Sequence, residues 1–171
     1  MTATIDTLPE LLAYARALEI EAVERYEELA EQMAVHHNPE LAELFRKMAA
    51  IEQQHVDQVE TLAAAAPLPR LAPWDYQWND PEAPETMSFD QSHYRLTPHQ
   101  AVNLMLACEE RAGAFFAGVA QQTGSEAVRD LAGRLAAEEQ QHAEQLRQWL
   151  ARYPEPAPDW DVDLDDPVPQ A

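Results

Sequence analysis

The chain has 171 residues, 46% of them apolar, enough for one domain with a real core. Its 31 acidic and 11 basic residues give a formal net charge of −20, which repels phosphate backbones, argues against nucleic acid as a partner and attracts cations. No run approaches the ~20 apolar residues of a membrane helix, MTATIDTLPE lacks the basic and apolar stretches of a signal peptide, and the single Cys108 excludes an internal disulfide or a cysteine-based metal site within this chain, so a reducing cytoplasm is the expected location.

A composition rich in Ala, Leu, Glu and Gln, with only 4 Gly, favours helices. The first predicted helix opens at Thr7-Leu8-Pro9-Glu10. Thr7 can cap, Pro9 is tolerated in the first turn, and Glu10 completes a capping box. Its apolar stripe runs Leu12, Ala15, Ala22, Tyr26, Leu29, Met33, in steps of three and four, and it ends near His36-His37. Asn38 caps the second helix, with Pro39 at its first position and a stripe of Leu41, Phe45, Met48, Ile51, Val59 and Leu62. That helix ends before Pro67.

Residues 67 to about 96 break the pattern with five prolines, Trp74, Trp78 and many acids. Thr97-Pro98 opens the third helix, whose stripe is Val102, Met105, Ala112, Phe116, Val119. Gly124 is expected to stop it and Ser125 to cap the fourth. That one carries Val128, Leu131, Leu135, Leu146 and Trp149 and stops before Pro154. The remaining PEPAPDWDVDLDDPVPQA reads as an acidic, extended or disordered arm. The expected organisation is one domain over 1–153, with its crossover at about 67–96, and a tail over 154–171.

Two short helix connections flank one long one. That pattern defines an all-α, antiparallel four-helix bundle with one long crossover between the second and third helices, the ferritin-like topology. The crossover must span roughly 40 Å at 1.5 Å per helical residue, which about 30 extended residues cover easily.

The halves repeat. Glu19-x6-Tyr26-x2-Leu29-Ala30 matches Glu109-x6-Phe116-x2-Val119-Ala120, and each is followed by Glu-Gln-Gln-His, at Glu52–His55 and Glu139–His142. Residues i and i+3 of a helix share a face, so each tetrapeptide aims a carboxylate and an imidazole at one point. Glu19, Glu52, His55, Glu109, Glu139 and His142 all fall on the apolar stripes at similar height. Four buried carboxylates repel one another, and no Lys or Arg lies on the stripes to neutralise them. Two divalent cations would, and carboxylate with imidazole suits Fe or Mn. Glu110 is the rival to Glu109, and the repeat favours Glu109. Glu21, Glu24, Glu27, Glu28, Glu138 and Glu144 read as solvated faces. His36, His37, His93 and His99 lie in or beside connections and carry no assigned role. Tyr26, two turns from Glu19, is a candidate hydrogen-bond donor to a ligand carboxylate; its counterpart Phe116 is not.

At these residues the sequence resembles the rubrerythrin and ferritin-like superfamily, over roughly 8–64 and 97–152. The resemblance implies a di-iron centre with the six residues as ligands and Glu52 and Glu139 bridging. It implies reaction with peroxide or O2, as peroxidase or ferroxidase, an external electron donor and a homodimer; Mn or a mixed pair can replace iron. Two departures stand out. Ala112 occupies the position of the extra glutamate of rubrerythrin peroxidases, and the four cysteines of a rubredoxin domain are absent. The alternative is a non-catalytic metal- or partner-binding bundle, with Trp74, Trp78 and Trp160 as candidate anchors.

Overall fold

The computed structural model describes residues 4–65, 67–76, 78, 83–84 and 96–156. The expected tail beyond residue 156, with Trp160, lies outside them, as do His93 and much of the crossover. Among the described residues there are four long helices and no strand. They are α1 (Leu8–Val35), α2 (Pro39–Ala63), α3 (Pro98–Gln122) and α4 (Glu126–Leu150).

Each helix starts where its capping residue places it. Side-chain oxygens of Thr7, Asn38, Thr97 and Ser125 accept from the backbone N–H groups of Glu10, Leu41, Gln100 and Val128. The reciprocal capping box forms at α3, where the Thr97 N–H donates to Gln100 Oε1 at 2.9 Å. Prolines open α1, α2 and α3 in their first turns. The α1–α2 turn passes through His37 in the left-handed region, φ 58°. α3 stops at Gln122, two residues ahead of Gly124, and Gly124 is not in the left-handed region. Thr123 turns extended instead, and its hydroxyl donates to Asp6 Oδ1 at 2.9 Å.

Contacts between helix ends fix the topology. Arg16, early in α1, pairs with Glu60, late in α2, so those two run antiparallel. His99 at the start of α3 lies against the Tyr153 carbonyl beyond the end of α4, so the second pair is also antiparallel. Asn38 donates to the Leu96 carbonyl at 3.3 Å, placing the starts of α2 and α3 side by side. The two therefore run parallel, and the chain between them must return along the bundle. On that return Tyr76 and Trp78 pack edge-on against Tyr14, Trp78 meets Phe115, and Arg111 donates to the Pro84 carbonyl. Trp78 thus folds back on its own bundle, whereas Trp74 is 83% exposed.

The predicted stripes of α1 and α3 are buried throughout. In α2 and α4, Ile51 and Trp149 are only partly buried and Leu62 is 45% exposed. The core itself comprises two apolar clusters. One gathers Leu29, Met33, Phe45, Met48, Met105 and Leu146; the other gathers Leu11, Leu18, Val59, Phe116, Val128 and Leu131.

Asn38 both caps α2 and ties it to the chain entering α3. Asn38→Ala is expected to lower unfolding free energy by about 1–2 kcal/mol in urea titration; an unchanged midpoint would mean that neither bond contributes.

Candidate metal centre

The boundary between the two apolar clusters is polar. Along α1 the cluster containing Leu18 gives way at Glu19 to the one containing Ala22. Glu52 and His55 divide α2 in the same way, between Ala49 and Val59. Glu109 divides α3 between Cys108 and Ala112, and Glu139 and His142 divide α4 between Leu135 and Leu146. All four glutamates are at most 2% exposed.

They form two groups of the same composition. His55 Nδ1 lies 2.9 Å from Glu52 Oε2 and 3.3 Å from Glu19 Oε2. His142 Nδ1 lies 3.2 Å from Glu139 Oε2 and 3.6 Å from Glu109 Oε2. Within each group one ligand atom per residue falls within 4.8 Å of the others. The groups face each other, with the imidazoles stacked at 4.4 Å and only 16° from parallel. The structure therefore brings the six sequence-selected residues together. It also separates Glu109 from its neighbour: Glu110 points out to Arg147 at 2.6 Å. Of the other glutamates set aside, Glu24, Glu27, Glu28, Glu138 and Glu144 are exposed and Glu21 is half-buried. Tyr26 is buried in the core, stacked on Phe45.

Several acceptors here are unsatisfied. Glu52 Oε1 and Glu109 Oε1 are buried without a hydrogen-bond partner, and Glu109 Oε2 has only the 3.6 Å contact to His142, a cost of several kcal/mol for a charged group. Burial pushes the Glu19 carboxyl up to about 8 and raises Glu109 and Glu139, against the opposing pull of the histidines. For the imidazoles burial acts the other way, but hydrogen bonds donated to the flanking glutamates, and their negative charge, outweigh it. They lift His55 to about 11 and His142 to about 10. Protons thus supply the positive charge that four carboxylates require. Two divalent cations would supply four charges, matching four carboxylates while both imidazoles stay neutral. The donor set and its orphaned oxygens fit that replacement.

Sequence reasoning missed the surroundings of Cys108. Its thiol is buried next to Glu109, accepts from Arg111 Nη2 at 3.3 Å, and is pushed up to about 12 by burial. It is no thiolate at neutral pH. An arginine three residues on in the same helix was the available signal.

A helical bundle with paired Glu/Glu/His groups across its core defines a ferritin-like protein with a candidate two-metal carboxylate centre. The chain belongs to the rubrerythrin family, whose model matches residues 10–150. It is also similar to the crystal structure of an uncharacterized conserved protein from Magnetospirillum magnetotacticum MS-1. The two share 36% identity over 88% of this chain and 98% of that one, with a TM-score of 0.68. No curated protein matches the chain.

The raised groups set the pH response of the metal-free protein. Glu19 binds its proton up to about 8 when folded but only to 4.5 when unfolded, and His55 up to about 11 against 6.5. Across these windows the native state holds more protons, so stability falls as pH rises. The melting temperature of the metal-free protein is expected to fall from about pH 5 to about pH 9, with a shallower fall in Glu19→Gln. A rising curve would contradict the proton-filled site.

Proposed function

We propose that this protein is a di-iron carboxylate protein that reacts with peroxide or O2, as a rubrerythrin-like peroxidase or as a ferroxidase that takes ferrous iron as substrate. The observation that carries the reading is the pair of buried Glu/Glu/His groups facing each other through their stacked histidines. Family membership over residues 10–150 supports it. In this reading Glu19, Glu52 and His55 hold one metal ion, and Glu109, Glu139 and His142 the other. Manganese or a mixed pair is compatible with the same donors.

Bound iron supplies a redox-active, Lewis-acidic pair. The protein's own part is positioning and proton handling. Rigid helices fix the six donors, and the apolar clusters above and below keep bulk water out. On loading, His55 and His142 release their ring protons and the carboxyl groups release theirs, so affinity rises with pH. In this reading the Tyr26 phenol would donate to a ligand carboxylate on the α1 side once metal is bound. Phe116 leaves the α3 side without that bond, so the two metal positions differ. Ala112 removes the exchanging carboxylate of rubrerythrin peroxidases. Electrons would come from ferrous iron itself or from an external donor, and a homodimer is the expected assembly. No helix among the described residues is long and apolar enough to cross a membrane.

Anaerobic titration of the metal-free protein with Fe²⁺ is expected to end at two equivalents per chain, and added peroxide or O2 to oxidise both. His55→Ala should bind fewer equivalents. Tyr26→Phe should keep two and lose about 10–100-fold in affinity or turnover. Stoichiometric uptake without oxidation would favour a non-catalytic metal-binding bundle. No uptake would leave a partner-binding role, for which the exposed Trp74 is the feature to test.

A further inference from the structure

Of the six proposed donors, only the histidines meet solvent. Each glutamate is at most 2% exposed, whereas the side chains of His55 and His142 are 12% and 20% exposed. Their rings stack on each other from α2 and α4, so the exposed part of the centre lies in the seam between those two helices. The face built by α1 and α3 is covered by the returning chain, with Tyr76 and Trp78 on Tyr14 and Trp78 on Phe115. The remaining two sides are the close-packed pairs α1–α2 and α3–α4.

A cavity of about 50 Å³ opens in the α2–α4 seam. Glu19 and His55 form its floor, and the exposed Gln58, Leu62, Arg134 and Glu138 form its rim. One water needs roughly 10–15 Å³ of such space, so the cavity admits an ion that keeps part of its hydration shell. Oxygen and nitrogen donors run from rim to floor: Glu138 and Gln58 outside, Glu19 and His55 inside. A divalent ion can exchange its waters for such groups as it moves inward.

The rim carries two opposed charges. Arg134 and Glu138 lie four residues apart on α4, and neither makes an ion pair among the described residues. Glu138 attracts an entering cation and Arg134 repels it. The repeat lacks this arrangement over His142. The offset that pairs Glu52 with Glu139 pairs Arg134 with Lys47, Glu138 with Ile51 and Leu62 with Trp149. There an apolar side chain replaces the carboxylate. Ile51 and Trp149 pack against the cluster that contains Met48 and Leu146.

We propose that divalent metal ions enter the centre through the α2–α4 seam over His55, with Glu138 receiving the hydrated ion at the rim and Arg134 slowing its passage. The proposal rests on the metal-centre reading above. It adds a one-sided route to that reading, and it gives Glu138 and Arg134 a part in loading without making either a ligand of the loaded site.

Uptake kinetics test the route without any redox turnover. Metal-free protein is mixed with Co²⁺ at fixed pH, and the visible absorption of the bound ion is followed by stopped flow. Glu138→Gln, Arg134→Gln and Lys47→Gln each remove one charge at an exposed helical position. Leu62→Trp narrows the rim with the residue that the chain already carries at the equivalent place. Stoichiometry and melting temperature are recorded for each. All four variants should still bind two ions per chain, because none alters a proposed donor. At low salt Glu138→Gln should slow uptake about threefold to tenfold and Arg134→Gln should speed it by a similar factor. Both effects should shrink at about 0.5 M salt. Leu62→Trp should slow uptake at either salt concentration, and Lys47→Gln should match wild type.

Uptake that ignores both rim charges would overturn the route. So would Lys47→Gln speeding uptake as much as Arg134→Gln, since that places entry over His142 or leaves it to the field of the whole chain. Loss of an ion from the Glu138→Gln end point would overturn the assigned part by making Glu138 a ligand. The metal reading fails separately: if wild type takes up no Co²⁺ and no Fe²⁺, both proposals fall. If wild type binds two ions at a rate that none of the four changes affects, the centre stands and the route does not.

Discussion

Everything in this bundle is organised around four carboxylates buried at one level of its core. Glu19, Glu52, Glu109 and Glu139 are nearly inaccessible, and they interrupt what would otherwise be one continuous apolar interior. Buried charge of one sign is among the most costly features a small domain can carry. Two stacked imidazoles and a set of retained protons lower that cost without removing it, since Glu52 Oε1 and Glu109 Oε1 stay without a hydrogen bond and Glu109 Oε2 has only a 3.6 Å contact to His142. Such a layer has a physical rationale when something else supplies the positive charge. The two apolar clusters, in this view, provide the stability that permits the polar layer.

The topology follows from the same requirement. A centre with one carboxylate from each of two helices and a carboxylate–imidazole pair from each of the others needs four helices at fixed registers. Duplication of a helical hairpin supplies these, provided the second hairpin starts level with the first helix of the opposite sense. The crossover achieves this, returning from the end of α2 to the start of α3 beside Asn38. Aromatic packing of Tyr76 and Trp78 on Tyr14 and Phe115 then holds the return to the bundle surface. Duplicated halves can diverge once the centre is secure. Tyr26 against Phe116 and Val23 against Gly113 are two such divergences, one inside the core and one at its edge.

Much of this was legible in the sequence because it is local. Caps at Thr7, Asn38, Thr97 and Ser125 mark helix starts by side chain alone, and the steps of three and four mark the buried faces. Glu19 and Glu109 were legible because polar residues on an apolar stripe contradict their surroundings, and the repeat then chose Glu109 over Glu110. What escaped depends on distant partners. Thr123 ends α3 because Asp6, at the other end of the chain, binds its hydroxyl. Trp78 packs inward while Trp74 does not, though both sit in the same proline-rich stretch. Leu62, one residue from the end of α2, lies on the predicted stripe yet is 45% exposed.

The central claim is that the carboxylate layer exists to hold two metal ions. Anomalous diffraction at the iron edge, from crystals grown anaerobically with Fe²⁺, tests it most directly. Two peaks are expected, about 3.5–4 Å apart as in two-metal sites generally, one contacted by Glu19, Glu52 and His55 and the other by Glu109, Glu139 and His142. A core without anomalous density, with the four carboxylates still turned inward, would contradict the account.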